Sequence, residues 1–432
     1  MSISIDLQKS PRVPAGEPAG TALRALRLRS FLSSGCTALL LTAGTYLFPA
    51  NAMAQMTPGA APMTPPVTKS AMEMKDYLRL QLPANSPIRH LDTDWGRSRV
   101  IQRGSVASAE LHLTFHFQNI SSQPIHGITL LLRTSGVASG GRASVTLPGL
   151  RVAPGERFPA KVDLRLLQPV SASVRPSFEV RVDGVLFADL SFVGENSLNS
   201  HRLLTSLELE IQQDRLHLRQ LLRAEGKDAL GREMRQVLAR QAELPRVDMR
   251  WARQGRATAL PPSDDVQFAF LSLPNAPLEP LEASARIAGN EALAPQMRVR
   301  NRSQREIVYA ELGWIIRDLD GREFYAGTVP VSTAKLSISP GSVSSMRQDG
   351  VLQFHEQNPT PAGNRDLPIK LGEMVAFVSQ VQFADGSIWM PNRYAANAPA
   401  EIRRLRVTPE QQRLASVYLR QGVDALVADL SR

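Results

Sequence analysis

Asn119-Ile120-Ser121-Ser122-Gln123-Pro124-Ile125 decides the fold, because the chain writes it again 182 residues later as Asn301-Arg302-Ser303-Gln304-Arg305-Glu306-Ile307. A second block, Val185-Leu186-Phe187-Ala188-Asp189, returns as Val381-Gln382-Phe383-Ala384-Asp385 at a separation of 196. Two blocks in the same order at nearly the same spacing mark a duplicated domain.

Around each copy the periodicity is that of strands. Leu111, Leu113, Phe115 and Phe117 alternate with His112, Thr114, His116 and Gln118, which buries one face of a sheet. Beyond the Asn119 turn, Ile128, Leu130 and Leu132 alternate again. In the second copy Met297 and Val299 lead into Asn301, and Val308, Ala310, Leu312, Trp314 and Ile316 share a face. A shift of 182 lays Ile128, Leu130 and Leu132 on Ala310, Leu312 and Trp314, so the repeat preserves the inward face; a one-residue slip would reverse it. Equivalent strands are therefore expected at 111–118 and 296–300, 127–133 and 308–316, and 185–189 and 381–385. Leu130 and Trp314 should be core residues, and Thr129 should face solvent. Asp183-Gly184 and Asp320-Gly321 read as hairpin turns, since both residue types tolerate positive φ. Both copies carry a Pro-Gly turn, Pro154-Gly155 and Pro340-Gly341.

These residues resemble bacterial exported immunoglobulin-like and fibronectin-type-III-like domains, whose strands often run into a loop Asn with a later Pro-Gly turn before a hydrophobic strand. The resemblance covers about 115 residues of each copy and implies a sandwich. The Cys–Trp–Cys pattern of true immunoglobulin domains is missing, so no partner is implied beyond the family's tendency to serve as spacer and adhesive units.

Between the copies the period changes. Leu204, Leu207, Ile211, Leu218 and Leu221 recur at helical steps, Gly226 breaks the run, and Leu230, Met234, Val237 and Leu238 resume it, giving a helical hairpin. At the end of the chain, Thr408-Pro409-Glu410 starts a helix with proline at its first position, and Leu414, Val417, Tyr418, Leu426 and Leu430 form a stripe. The fold class is mainly β with helical additions: two Ig-like antiparallel β-sandwiches joined by a helical hairpin, with a C-terminal helix. The chain divides into a signal peptide (1–54), a Pro-rich tether (55–72), the first sandwich (73–198), the hairpin (199–243), a linker (244–262), the second sandwich (263–398) and the C-terminal helix (399–432).

The signal reading rests on three parts. Arg24, Arg27 and Arg29 precede an uncharged run from Phe31 to Phe48, and small residues at Ala52 and Ala54 follow. Export to the periplasm or beyond is expected, with an inner-membrane signal anchor as the alternative because the run approaches a bilayer-spanning length. Cleavage would remove Cys36, the only cysteine, which leaves no disulfide partner and no thiolate chemistry. Of the net charge of +10, the first 54 residues carry +3, so the mature chain keeps about +7 spread over its surface. With 6% aromatic residues and no basic–aromatic interleaving, nucleic acid is not an expected partner.

Candidate chemistry is sparse. His112 and His116 would suit one metal on a helix; on a strand they stand about 13 Å apart, beyond the reach of a single ion. His126 aligns with Val308 and reads as a rim residue. Asp318-Leu319-Asp320-Gly321 starts like a calcium loop but lacks the distal acidic ligand, so a turn explains it. Asn119 and Asn301 match a glycosylation acceptor pattern and read as turn asparagines. Asp189 and Asp385, equivalent in the two copies, are the first suspects for any acid catalysis, though each reads as the start of a turn. No nucleophile–base signature is present. The sequence thus assigns no catalytic, cofactor or metal residue. It points to a non-catalytic binding or scaffolding protein of the cell envelope with a protein or glycan partner. A subunit of an envelope or secretion assembly, or a carbohydrate-active hydrolase, are the alternatives. The one candidate interaction surface is the stripe Leu204, Leu207, Ile211, Leu218 and Leu221, whose simplest use is docking onto its own sandwich.

Overall fold

The computed structural model describes residues 67–69, 75–103, 106–134, 142–169, 178–244, 246–253, 265–331, 336–347, 350–360 and 363–431. The segment read as a signal peptide lies outside them. The chain is mainly β with helical additions. Its first half holds β1 (Val67–Lys69), β2 (Leu78–Gln81), β3 (Ile88–Asp94), β4 (Arg99–Arg103), β5 (Val106–Asn119), β6 (Ile125–Thr134), β7 (Arg142–Val152), β8 (Arg157–Pro169), β9 (Phe178–Phe187) and β10 (Phe192–Val193), then α1 (Ser200–Glu243). The second half opens with β11 (Arg246–Arg253), β12 (Asp265–Gln267), β13 (Ala269–Phe270), β14 (Leu278–Ala288), β15 (Glu291–Asn301) and β16 (Ile307–Asp318). It continues with β17 (Glu323–Pro330), β18 (Val343–Arg347), β19 (Gly350–Thr360), β20 (Gly363–Pro368), β21 (Leu371–Phe383) and β22 (Ile388–Trp389), and ends in α2 (Ala400–Arg404) and α3 (Pro409–Ser431).

Each half is a pair of sheets. In the first, β1-β4-β5-β3 with β8 on β5 lies opposite β10-β9-β6-β7 with β2 on β9. Leu111, Leu113, Phe115 and Phe117 of β5 are buried with Ile128, Leu130 and Leu132 of β6 in one core, as the period-2 alternation requires. In the second, β11-β19-β15-β14-β12, with β18 and β20 attached, lies opposite β13-β21-β16-β17 with β22 on β21. Met297, Val299, Ala310, Leu312, Trp314 and Ile316 share its core. Each large apolar side chain buried this way contributes about 1.5–3 kcal/mol. Pairing is antiparallel except for one short parallel strand in each copy, β2 on β9 and β13 on β21.

The two asparagine turns make matching hydrogen bonds. Asn119, fully buried, donates from Nδ2 to the carbonyls of Gln123 and Val152 and accepts at Oδ1 from Ser121 N and Oγ. Asn301, equally buried, donates to Arg305 and Ile338 and accepts from Ser303 N and Oγ. The Pro-Gly turns close identically, Gly155 N on Asn119 O and Gly341 N on Asn301 O. Irregularities recur too. The β6–β9 ladder skips His126 and Asp183, and the β16–β21 ladder skips Val308 and Ser379 at matching places. A bulge is a specific local device, and two retained in both copies place the strands in the same register.

The helices share a feature as well. α1 is interrupted at Gly226 (φ 81°, ψ −173°) and α3 at Gly422 (φ 82°, ψ −176°), backbone angles that only glycine adopts freely. α3 folds back there, because Arg413 reaches Asp429 at 2.7 Å although a straight helix would hold them about 24 Å apart. The C-terminal helix is thus a hairpin. α1 likewise consists of two helical segments that meet at Gly226. Leu218, Leu230, Met234 and Val237 of α1 pack with Leu414, Leu426 and Leu430 of α3 in one helical core.

Four expectations need correction. Asp183-Gly184 is not a hairpin: β9 runs straight through it, Asp183 occupies the bulge, and Gly184 is glycine because Phe192 lies on it, 1.9 Å from where a Cβ would stand. Arg246–Arg253, placed in a linker, is β11 and pairs along its length with β19. Val67–Lys69, placed in the tether, pairs with β4. Thr129 is only 1% exposed, because α1 crosses the outer face of β6 and seats Leu204 against Gly127.

Candidate functional site

The stripe Leu204, Leu207, Ile211, Leu218 and Leu221 is not a free surface. Leu204 packs on Gly127 and Ile211 on Gly149, both backbone positions of the first sandwich, while Leu218 belongs to the helical core. Leu207 and Leu221 are half-buried. The stripe covers its own domain, the usual fate of an amphipathic face.

The other sequence candidates are occupied by structural roles. Asp189 and Asp385 each accept from the serine two residues on, Ser191 and Ser387, through both its N–H and its hydroxyl. These bonds hold both carboxyls below their ordinary range, the condition of a turn-forming carboxylate and not of a proton donor. His112 pairs with Asp163 at 2.9 Å and His116 with Asp92 at 2.6 Å, on the solvent side of β5. His126, in the bulge of β6, reaches Glu208 of α1 at 2.8 Å and anchors helix to sandwich. Asp318 accepts from Asp320 N, Arg322 N and Arg322 Nε, which makes it the brace of the β16–β17 hairpin. Among the described residues no group of three or more His, Cys, Asp and Glu side chains is placed to hold a metal ion.

Ionisable groups gather instead where α1, the segment 390–408 and α3 meet the second sandwich. Asp214 is fully buried; Tyr394 Oη donates to its Oδ1 at 2.6 Å and the Thr408 hydroxyl to its Oδ2. Burial pushes the Asp214 carboxyl up, against the pull of Arg393 and those two donors. Burial also pushes the Tyr394 phenol far up, reinforced by Asp214, so it stays protonated and serves as donor. His217 stacks on Tyr394 with centroids 3.9 Å apart and planes 10° off parallel, and burial lowers its imidazole.

Thr408 caps α3. Its Oγ1 accepts from Gln411 N at 3.1 Å while Gln411 Oε1 accepts from Thr408 N at 3.1 Å, the reciprocal capping box. Beside this network lies a cavity of about 40 Å³ whose lining includes Glu210, Ser379, Arg393, Ile402 and Arg406. Arg406 binds Glu210 through both terminal nitrogens, at 2.6 and 3.2 Å. Arg393 is 4% exposed and spends Nη2 on the carbonyls of Ile402 and Arg406. Among the described residues, its Nε and Nη1 have no hydrogen-bond partner, nor does Ser379 Oγ.

Of these residues the sequence singles out Thr408, as the start of a helix, and assigns none of them to a site. Asp214 and Tyr394 are 180 residues apart in the chain. A signal for the region existed: Gly226-Lys227-Asp228-Ala229-Leu230 returns as Gly422-Val423-Asp424-Ala425-Leu426, again 196 residues on.

No protein-family model matches the chain, and no curated protein matches it. Among solved structures it is compared with a β-glucosidase from Kluyveromyces marxianus at 8% identity, over 63% of this chain and 45% of that one, with a TM-score of 0.14. The CBM32-1, CBM32-2 and M60 catalytic domains of Clostridium perfringens ZmpB align at 10% identity over 80% of this chain and 42% of theirs, TM-score 0.10. The chain therefore spans under half the length of either, and similarity this low carries no argument about fold or activity. The fold and site define a protein of two sandwich-plus-hairpin units joined through their helices.

Proposed function

We propose that this chain is an exported, non-catalytic binding or scaffolding protein of the bacterial cell envelope. The observation that carries the reading is what the two copies have in common. They share the buried turn asparagine, the two bulges, the Asp–Ser turns and the glycine-broken helices, all of which set shape. The equivalent acids that a hydrolytic reading would recruit, Asp189 and Asp385, are bound into those turns. Among the described residues no helix is long and apolar enough to cross a membrane. The partner is a macromolecule, protein or glycan, met by the sandwich faces. The seated leucine stripe weighs against the assembly-subunit alternative, which would use it as an exposed apolar patch.

A pulldown from solubilised envelope, run beside a glycan array and a hydrolase panel, tests this reading. Capture of a stable partner without turnover supports it. Turnover that disappears in Asp189→Asn or Asp385→Asn would defeat it.

A further inference from the structure

The two copies can be compared with each other at one point where they differ in chemistry. In the first, the bulged residue of β9 is Asp183, 1% exposed. Its carboxylate accepts from Ser197 N at 2.9 Å, Leu198 N at 3.1 Å and the hydroxyls of Ser197 and Ser200. In the second, the bulged residue of β21 is Ser379, and the residue 196 positions after Ser197 is Arg393. The loop keeps its register between the copies: Asn199 N bonds Asn196 O at 3.1 Å, and Ala395 N bonds Asn392 O at 3.2 Å. A carboxylate has thus become a hydroxyl, and one of the residues that donated to it has become a guanidinium.

Both replacements line the 40 Å³ cavity, and both hold donors with no partner among the described residues, Arg393 Nε and Nη1 and Ser379 Oγ. The other cation there, Arg406, is taken by Glu210. Glu401 also lines the cavity, and Asp214 acts on Arg393 from beside it, but both oxygens of Asp214 are engaged by Tyr394 and Thr408. The rest of the wall sets the apolar Ile315, Phe377, Met390, Pro391 and Ile402 beside Gln213 and Tyr325. A buried guanidinium with free N–H groups calls for an anion, and the first copy shows which kind, a carboxylate.

We propose that this cavity binds a small monocarboxylate of acetate to propionate size. Its carboxylate takes the place that the Asp183 side chain fills in the first copy, and its short apolar end lies against Ile315, Phe377 and Ile402. The space has room for about three waters, which fits an acid of that size. This site is separate from the macromolecular surface proposed above and does not rest on it.

Carbon-13 acetate and propionate, titrated by NMR and calorimetry at constant ionic strength, test the assignment, with chloride and butyrate as controls. Saturable one-to-one binding of acetate or propionate is expected, tighter than that of butyrate and not reproduced by chloride. Ser379→Asp rebuilds the first copy's carboxylate opposite Arg393. It should raise Tm and weaken acetate binding at least about tenfold, or 1.4 kcal/mol; Arg393→Met should weaken it similarly. Absence of saturable binding, unchanged affinity in Ser379→Asp, or a lower Tm or failure to fold in that variant would overturn the proposal.

Discussion

The ion cluster that ties α1 to α3 permits a prediction worked from its charge balance. Arg215 is 2% exposed and donates from Nη1 to Glu410 at 3.1 Å and Asp429 at 2.8 Å, and from Nη2 to the Asp429 carbonyl. Arg413 binds the same two carboxylates at 2.7–2.9 Å. Among the hydrogen-bonded groups, two cations face two anions. Arg215→Met keeps the bulk but leaves one cation between two carboxylates, with Glu410 only 5% exposed. Breaking a buried pair from one side costs about 3–5 kcal/mol, and because Arg413 still holds both acids the expected loss is the lower end, about 3 kcal/mol. Adding Glu410→Gln restores a one-to-one balance, so the double variant should lose only about 1 kcal/mol. In urea melts followed by helical circular dichroism, a slope of about 3 kcal/mol/M puts the single variant's midpoint about 1 M below the parent. A double variant as damaged as the single one would refute the charge-balance argument.

Further outcomes follow from individual contacts. Asn119→Ala and Asn301→Ala each strand buried backbone partners and should each cost about 3 kcal/mol by chemical denaturation; losses differing by more than about 2 kcal/mol would contradict their equivalence. Thr129→Asp places a charge under α1 and should destabilise by at least about 2 kcal/mol, where a solvent-facing position would change little. His217 has its folded pKa depressed by burial, so the stability it contributes is present above the unfolded value near 6.5 and is lost as pH falls through the folded pKa. His217→Phe, which keeps the stack on Tyr394, should flatten Tm against pH below about 6.5 relative to the parent; an unchanged slope would assign the acid loss elsewhere.

Much of the fold is legible in the letters. The parity of Leu111–Phe117 and of Ile128–Leu132 sets the buried faces, and the repeated Asn119 and Asn301 turns set the register. What is not legible has physical reasons. Asp183-Gly184 has the letters of a turn, but a bulge also needs a residue outside the ladder, and a close aromatic needs glycine; only Phe192, eight residues on, tells them apart. Alternation says that Thr129 faces away from the core, not that a helix covers that side. The candidate site is beyond local reading because it joins Asp214 to Tyr394 and Glu210 to Arg406, partners nearly two hundred residues apart. The helical duplication was written in Gly226-x-Asp228-Ala229-Leu230, but the residues flanking it diverge between the copies.

The shared helical core of α1 and α3 should make the two sandwiches unfold as a single body. Fluorine NMR of 5-fluorotryptophan protein through a urea titration tests it most directly, because Trp95 packs on the first sandwich core and Trp314 lies in the second. The native resonances of Trp95 and Trp314 should vanish together in the parent and separate in Leu218→Asp, which breaks the shared helical core. Resonances lost at different urea concentrations in the parent, or still lost together in Leu218→Asp, would contradict it.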